Sequence, residues 1–385
     1  TGQAQPVVQP AAANPGFDRW IDDFKRRARA QGISDRTLNA AFRNVSFDPD
    51  VIKRDRNQSE FTKTIWQYLD SAASDTRIAN GKAALREHSR TLEAIEKRYG
   101  VEKEVVVAVW GLESAYGQYR GSNDIVRSLA TLAYDGRRGA FFEEQLIAAL
   151  KIVQNGDTSP RNMTGSWAGA MGHTQFIPTS YLAFAVDFDG DGRRDIWAED
   201  PTDALASTAA YLKRSGWKKG QPWGVEVKLP RGFDYTQANR KIKKSPGAWA
   251  NAGVIGTNGR AVPNYGRASI LLPAGAQGAA FMIFDNFRAI ERYNAADAYV
   301  IGVGHLSDRI KGGSAIQASW PEGDRALKFA ERKELQQRLT NAGFSTKGVD
   351  GRIGPNTINA VRRYQRSQGL IPDGYASLAL LQRLR

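Results

Sequence analysis

The stretch VVVAVWGLESAYG, residues 105–117, contains a single carboxylate, Glu113, in a run that is otherwise uncharged. Val105, Val109 and Leu112 recur at mostly helical spacings, which predicts a largely buried helix over 102–117. Desolvation favours the neutral form of a carboxylic acid, and a neutral acid near pH 7 can donate a proton. Two interpretations therefore stay open: a structural carboxylate that binds a neighbouring group, and a general acid.

Helical patterns dominate the segments around this stretch. FDRWIDDFKRRARAQG, residues 17–32, has its apolar residues on one face, and SDRTLNAAF, from Ser34, predicts a second helix with Ser34 as N-cap. Further helices are predicted at 59–73, 75–98, 139–154, 202–215 and 287–311. The pattern indicates a mainly α protein.

The segment from Trp217 to Phe284 differs in character. It is rich in Gly and Pro and contains the short β-prone pieces GVEVKL, RASILL and AAFMIF. We expect a small β-containing subdomain, at about 217–284, inserted into a helical domain that spans 17–311, so that the fold class is α+β. A linker is predicted at 312–325 from GGS and SWPEG, and a short helical module at 326–385.

Composition restricts the partners and the compartment. The chain has 385 residues and a formal net charge of +14, which favours an anionic partner: nucleic acid, a membrane surface or a polyanionic cell wall. It has no cysteine, so a metal site must use oxygen or histidine ligands. No apolar run approaches the roughly 20 residues that span a bilayer. Residues 1–16, rich in Pro, Ala and Gln, are expected to be flexible and are typical of the stub left when a signal peptide is removed.

The segment DFDGDGRRDIWAEDPTD, residues 187–203, carries the strongest metal signal. Three aspartates occupy positions 1, 3 and 5 of an EF-hand-type loop, a glycine stands at the sharp turn of position 6, and the carbonyl of the next residue falls at position 7. These are Asp187, Asp189, Asp191, Gly192 and Arg193. An all-oxygen set of this kind suits Ca²⁺.

The closing ligand of this loop is not fixed by the spacing. Position 12, normally a bidentate glutamate, is Ala198, so the ligand must come from further along the chain. The candidates are Glu199, Asp200 and Asp203. The alternative to a metal site is a solvated acidic turn held by Arg193 and Arg194.

Several motifs occur in order and together resemble the B-type lytic murein transglycosylases, bacterial wall-cleaving enzymes with a lysozyme-like helical core. They are ESAYG at Glu113, AGAMGHTQFIPTSY from Ala168, the aspartate loop, and RYN at 292–294. The resemblance covers most of residues 17–311. It implies Glu113 as the sole catalytic acid/base and favours Asp203 as the closing ligand of a structural Ca²⁺ site, with no organic cofactor. It also implies a sugar-binding cleft lined by Ser166, Gln175, Tyr211, Tyr293, Asn294 and Tyr299.

A single carboxylate is unusual for a glycosidase, since most use a pair. Asp124 and Asp135 lie in polar, turn-like sequence and are expected to be structural. The resemblance implies that the substrate supplies the missing group: cleavage between N-acetylmuramic acid and N-acetylglucosamine would close a 1,6-anhydro ring without water. A muramidase that adds water would need a second carboxylate or a positioned water, for which the sequence offers no clear candidate.

The segment from Leu335 to Leu384 resembles the small peptidoglycan-binding domain found at the ends of many wall hydrolases, through its LQQRL helix, GVDGRIGPNT and AVRRYQ. A three-helix module is expected, with a core of Leu335, Leu339, Val361, Tyr364, Leu370, Leu378 and Leu381 and a tight turn at Asp350–Gly351. Arg362, Arg363 and Arg366 make one helix basic. This helix is either a contact for wall peptide stems or the anionic polymer, or a solvated face.

Two further classes of function fit the sequence less well. A catalytically silent wall-binding scaffold would not need the acid at Glu113. A nucleic-acid binder is suggested by charge alone and lacks a reading motif. We therefore expect a periplasmic enzyme that acts on peptidoglycan glycan strands and their peptide stems, with no nucleic-acid partner; partners within the cell-wall machinery are not specified by the sequence.

Overall fold

The computed structural model describes residues 13–58 and 63–385. These residues form two compact units, 13–58 with 113–208, and 63–112 with 209–385. Helices predominate and the strands are few and short, which confirms the predicted mainly α fold with a small β part. Most of the flexible segment predicted at 1–16, and the start of the helix predicted at 59–73, lie outside the described residues.

Two apolar helices form the core of the first unit. Helix α8 packs against α9, and α1, α2, α3 and α10 pack around this pair. Leu129 in α8 and Leu146 in α9 are fully buried. The helices of this unit are α1 (Pro15–Ala30), α2 (Asp35–Phe42), α3 (Pro49–Asn57), α8 (Ile125–Asp135), α9 (Gly139–Gln154) and α10 (Pro178–Phe184). Its two short strands, β1 (Asn123–Asp124) and β2 (Thr164–Gly165), pair antiparallel.

Asp124 and Asp135, which were expected to be structural, stand at the two ends of the buried helix α8. Asp124 is its N-cap and accepts a hydrogen bond from the amide of Arg127 at 3.0 Å. Asp135, the last residue, pairs with Arg56 at 2.8 Å. Both carboxylates are therefore engaged in structural contacts.

Helix α14 (Asp297–Ile310) forms the centre of the helical part of the second unit, where α4, α5 and α13 pack against it. Two glycines allow close approach: a Cβ at Gly302 would lie 2.8 Å from a ring carbon of Tyr68, and one at Gly304 would lie 2.5 Å from the indole of Trp223. The other helices are α4 (Ile65–Ala72), α5 (Asp75–Glu87), α6 (Ser89–Tyr99) and α13 (Asp285–Tyr293). Helices α7 (Lys103–Ser114) and α11 (Thr202–Arg214) each contribute residues to both units.

Two long helices predicted from the sequence are each divided. The segment 75–98 breaks between α5 and α6 at His88, whose φ of −107° and ψ of 21° leave helical geometry. The segment 287–311 breaks after Tyr293, where Asn294 is extended and its side chain accepts a hydrogen bond from the amide of Ala296 at 3.0 Å. The Asn294 side chain thus forms a local cap between two helices, whereas no side-chain cap accompanies the break at His88.

The predicted β subdomain is present as an antiparallel sheet in the order β4-β3-β6-β5. Its strands are β3 (Gly224–Lys228), β4 (Ile255–Gly256), β5 (Ser269–Leu271) and β6 (Ala280–Ile283). Val225 and Ile270 both face Met282 in register. Trp249, in the short helix α12 (Pro246–Asn251), is fully buried against this sheet, and its indole N–H donates to the carbonyl of Ala268 at 2.8 Å.

The C-terminal module has the three predicted helices, α15 (Phe329–Asn341), α16 (Pro355–Ser367) and α17 (Leu378–Leu384). Its buried core contains Leu327, Leu335, Leu339, Ala360, Val361, Tyr364, Leu380 and Leu381. Leu370, predicted for this core, is only half-buried and lies outside it. Gly351 makes the predicted tight turn with a φ of +75°, and Asp350 accepts from the amide of Arg352 at 2.9 Å.

The linker segment 312–325 lies against the rest of the second unit. Both carboxylate oxygens of Glu226, in β3, accept hydrogen bonds from linker amides: Gln317 at 2.8 Å and Ala318 at 2.9 Å. The indole of Trp320 stacks on that of Trp66 with ring centres 6.2 Å apart. Carboxylate–amide hydrogen bonds are among the stronger ones in proteins, so this segment is fixed rather than loose.

No helix within residues 13–58 and 63–385 is long and apolar enough to cross a membrane.

We predict that Glu226→Ala frees the linker, because both of the linker amides that it binds lose their acceptor. Trypsin should then cleave after Lys311 or Arg325 several-fold faster than in the native chain, as followed by limited proteolysis. Glu322→Ala is the matched control, since the Glu322 side chain is exposed and makes no hydrogen bond or ion pair with the described residues. Equal cleavage rates for Glu226→Ala and the native protein would contradict the fixed linker.

Candidate functional site

Glu113 lies in the last turn of α7, a helix whose interior is apolar. Residues 105–110 of this helix are all buried, with Val106 and Val109 fully inaccessible. Glu113 itself is half-buried, one residue before the helix ends at Ser114. The predicted largely buried helix is therefore present, and its carboxylate lies at its C-terminal end.

The helix ends abruptly after Ser114. The next three residues, Ala115, Tyr116 and Gly117, have φ values of 49°, 59° and 89°. Left-handed backbone costs about 1–2 kcal/mol per residue that carries a Cβ, so Ala115 and Tyr116 are strained. The hydroxyl of Ser114 accepts from the amide of Gly117 at 2.9 Å and its carbonyl accepts from Tyr119 at 2.9 Å, which stabilises this conformation.

Ser114 also fastens the end of α7 to the segment that contains the second motif. Its Oγ donates to the carbonyl of His173 at 2.5 Å, and both residues are buried. Burial lowers the pKa of His173, so its imidazole is neutral near pH 7. The His173 ring nitrogen Nε2 lies 2.5 Å from the carbonyl of Ala198, which extends the connection to the end of the aspartate loop.

The segment 165–176 is a tightly wound loop around Ser166. The Ser166 Oγ accepts hydrogen bonds from the amides of Ala168 at 3.2 Å and Ala170 at 3.0 Å. Glycines leave room for the winding: a Cβ at Gly165 would lie 2.1 Å from the carbonyl oxygen of Ala170, and one at Gly172, where φ is +74°, would lie 2.3 Å from that of Ile196. At both glycines, the close approach is to another segment of the protein backbone.

Gln175 closes the same loop in a left-handed conformation, with a φ of +58°. Its side-chain amide nitrogen donates to the carbonyls of Gly172 at 2.8 Å and Arg120 at 3.1 Å. Both amide protons are thus engaged, and the oxygen Oε1 remains as an acceptor. Among the predicted site residues of the first unit, Ser166 and Gln175 share one loop, and the residue next to Glu113 is bonded to it.

The four remaining predicted cleft residues belong to the second unit, and the three tyrosines among them form an aromatic cluster. The ring of Tyr211, in α11, meets that of Tyr293 edge-on with centres 4.9 Å apart, and Tyr293 lies parallel to Tyr299 at 6.5 Å. The Tyr211 hydroxyl donates to the carbonyl of Arg292, and burial raises the pKa of Tyr211. Tyr299 is only 6% exposed, whereas Asn294 is exposed at the end of α13.

The aspartate loop brings four carboxylates together. One oxygen each from Asp187, Asp189, Asp191 and Asp203 lie within 4.8 Å of one another. Asp203 is buried and also accepts from the amides of Phe188 at 2.9 Å and Asp195 at 3.0 Å. Lost solvation and the neighbouring carboxylates of Asp187 and Asp203 raise the pKa of Asp189 to about 6. Such crowding is relieved by a cation, and hard oxygen ligands suit Ca²⁺.

The other candidates for the closing position are engaged elsewhere. Glu199 pairs with Arg120, and Asp200 accepts from the amide of Thr202 at 3.0 Å at the start of α11. The amide of Arg193 donates to Asp191 at 2.9 Å. Arg194 does not hold the aspartates, because it pairs with Asp157 at 2.8 Å.

Sequence reasoning missed three residues that build this site: Ser114, Arg120 and His173. Arg120 donates to the carbonyls of Trp197 at 2.8 Å and Ala198 at 3.2 Å, and so joins the segment after α7 to the aspartate loop. The signal for His173 was available, since it is one of only three histidines and stands inside a motif. Ser114 likewise stands inside a motif, ESAYG, whereas Arg120 carries no comparable signal.

Comparison with protein families identifies both parts of the chain. Residues 16–308 match the transglycosylase SLT domain, and residues 330–384 match a peptidoglycan binding domain. The chain is 30% identical over 315 residues to membrane-bound lytic murein transglycosylase B of Escherichia coli strain K12. The matched region covers 78% of this chain and 83% of that protein.

Solved structures give the same picture. SltB3 from Pseudomonas aeruginosa in complex with NAG-anhNAM-pentapeptide is 50% identical, with a TM-score of 0.94 over 97% of this chain and all of that one. The Escherichia coli lytic transglycosylase Slt35 in complex with calcium is 30% identical, with a TM-score of 0.65 over 78% of this chain and 94% of that one.

We predict that Gly165→Ala destabilises the first unit, because the new Cβ would overlap the Ala170 carbonyl and lie 2.9 Å from Cδ1 of Ile125. The free energy of unfolding, from urea denaturation, should fall by about 1–3 kcal/mol. Gly323→Ala is the control, since nothing lies within 4 Å of its Cβ position and its φ is ordinary. The close winding of the loop would be refuted by equal stabilities for Gly165→Ala and Gly323→Ala.

Proposed function

The chain belongs to the transglycosylase SLT family of lytic transglycosylases, and from this premise we propose that it cleaves peptidoglycan glycan strands without water. The bond cut is the β-1,4 linkage between N-acetylmuramic acid and N-acetylglucosamine, and the product carries a 1,6-anhydromuramoyl end. The observation that carries this proposal is Glu113: a half-buried carboxylate at the end of an apolar helix, next to a serine bonded to the 165–176 loop.

Glu113 acts first as an acid and then as a base. It donates its proton to the glycosidic oxygen as the bond from C1 of the muramoyl sugar to that oxygen breaks, and the N-acetylglucosamine end leaves with a hydroxyl group. The 2-acetamido group of the muramoyl sugar stabilises the charge that develops at C1. The Glu113 carboxylate then takes the proton from the O6 hydroxyl of the same sugar, and O6 bonds to C1. The proton returns to Glu113, so the cycle needs no second carboxylate.

Neutral polar and aromatic groups bind the sugars. Ser166 keeps its hydroxyl proton for donation, because its oxygen only accepts in the loop, and Gln175 offers its oxygen Oε1 to sugar hydroxyl or N-acetyl N–H groups. In the second unit, Tyr211 and Tyr293 offer flat faces to pyranose rings and Asn294 offers an exposed amide. Tyr299, which is buried and stacks on Tyr293, completes the aromatic lining of the cleft.

The aspartate cluster binds Ca²⁺ with a structural role. Asp187, Asp189, Asp191, Asp203 and the carbonyl of Arg193 supply the ligands. The close approach of four carboxylates supports this assignment, as does the calcium complex of a 30% identical relative. The ion offsets their mutual repulsion and fixes Asp203 at the start of α11.

We assign the catalytic domain to 17–311 with the β insertion at about 217–284, the linker to 312–325 and the wall-binding module to 326–385. The module binds peptidoglycan, including its peptide stems. The site of action is the periplasm, where peptidoglycan lies, and the chain reaches it by export.

Glu113→Gln tests the mechanism, because the amide keeps the shape of the side chain but cannot supply a proton. Turnover of purified peptidoglycan should fall by about 10²–10⁴-fold with the fold intact. Mass spectrometry should show that the native products are one water lighter than reducing muropeptides. Glu104→Gln, on the same helix, is the matched control and should retain activity. Reducing products from the native protein would establish a hydrolase instead. A fully active Glu113→Gln variant would refute the role of Glu113 as the acid and base.

Calcium should raise the thermal stability of the protein, because the ion binds the folded loop and not the unfolded chain. We expect the melting temperature to rise on addition of CaCl₂ to chelator-treated protein, and the rise to shrink in Asp191→Asn. Asp200→Asn changes the same charge in the same loop outside the cluster and should preserve the calcium response. A melting temperature that is identical in calcium and in chelator would rule out the site.

A further inference from the structure

A polar cavity of about 480 Å³ lies in the first unit, outside the residues assigned to catalysis and calcium binding. Two arginines, Arg120 and Arg161, line it together with Thr158, Asn162, Thr164 and Glu199. Guanidinium, hydroxyl and amide groups around one cavity provide donors for an anion with several oxygen atoms. The volume is sufficient for a short peptide segment rather than a single ion.

The two arginines differ in how they are held. Arg120 is fixed by the carbonyls of Trp197 and Ala198, and its side chain is only 23% exposed. Arg161 is exposed and forms no ion pair or hydrogen bond with residues of the described ranges. One guanidinium is therefore preorganised and the other is available, an arrangement that lets a carboxylate be bound from two sides.

The acidic groups that line the cavity do not prevent its two arginines from binding an anionic ligand. Asp195, which also lines it, accepts hydrogen bonds from the amides of Trp197 and Ala198, both at 3.0 Å, so its charge is committed to a turn. Glu199 pairs with Arg120, but its side chain is 92% exposed. Exposed ion pairs contribute little stability, so a ligand carboxylate can replace that of Glu199.

The cavity shares a wall with the loop that we assign to sugar binding. Gly172 lines the cavity, and its carbonyl accepts from Gln175 at 2.8 Å. The carbonyl of Arg120 accepts from the same amide at 3.1 Å. Thr164, on the cavity wall, stands two residues before Ser166. A branch that leaves a sugar bound by Ser166 and Gln175 therefore has this cavity beside it.

We propose that this cavity binds a free carboxylate of the peptide stem that branches from the muramoyl sugar, with Arg120 and Arg161 as its partners and Glu199 as the group it displaces. This assignment rests on the proposed function for the identity of the ligand. The first unit then binds the peptide stem as well as the glycan, so that glycan strands with stems are bound in preference to glycan strands without them.

The test measures binding of a synthetic stem peptide with free carboxylates to the full native chain by calorimetry or NMR titration, without turnover. Arg161→Gln should weaken binding about tenfold, the loss of one charge-assisted hydrogen bond. Glu199→Gln should strengthen binding, because it removes the competing carboxylate but leaves Arg120 in place. Arg36→Gln is the control for net charge, since Arg36 is exposed and unpaired within the described residues and lies outside the cavity. A stem peptide whose carboxylates are amidated should not compete.

Opposite effects of Arg161→Gln and Glu199→Gln on affinity support the site if Arg36→Gln binds like the native chain. General electrostatics alone would also change the affinity of Arg36→Gln. Equal effects of Arg161→Gln and Arg36→Gln, or unchanged binding in both cavity variants, overturn it. Equal binding of the amidated peptide overturns it as well. A native protein that binds the stem peptide as expected but does not cleave glycan strands would refute the proposed function and leave this site standing.

Discussion

The break of α7 after Ser114 is the constraint on which the first unit depends. Three successive residues in left-handed conformation turn the chain away from the helix axis, and two of them carry side chains that make this turn costly. The cost is met by the bonds that Ser114 makes on both sides, to Gly117 within the turn and to His173 across to the second motif. Glu113 is held at a helix end because the hydroxyl of its neighbour, Ser114, makes these two hydrogen bonds.

Strain of this kind recurs in the same part of the molecule. Gln175 is also left-handed without being a glycine, and it too is stabilised by side-chain bonds to backbone carbonyls. Non-glycine residues in such conformations persist only where the surroundings determine them several times over. Three of the four that the described ranges contain, Ala115, Tyr116 and Gln175, flank or belong to the proposed site, whereas Lys347 lies in the C-terminal module. A rigid loop holds polar groups in place before substrate arrives.

Periodicity and motif spacing predicted much of this structure. What they missed depends on three-dimensional features that a local sequence pattern does not show. Short alternating runs such as GVEVKL predicted strands because their pattern is local. The break at His88 was missed because helix formers continue on both sides of it. Leu370 was assigned to a core that it does not enter, since residue type does not reveal which side of a turn faces inward. Spacing left Asp203 as one candidate among three, because its approach to Asp187 depends on where α11 begins.

The hydrogen bonds from the linker amides to Glu226 also affect the conformational entropy of the chain. A free chain of this length would sample many conformations, and each engagement of the C-terminal module with a polymer would have to restrict them. Here Gln317, Ala318 and Trp320 are already ordered in the folded protein. The conformational entropy is lost once, when the chain folds, and not again at each encounter. The module is therefore held at a set distance from the rest of the second unit, and its local concentration there does not depend on the length of a flexible linker.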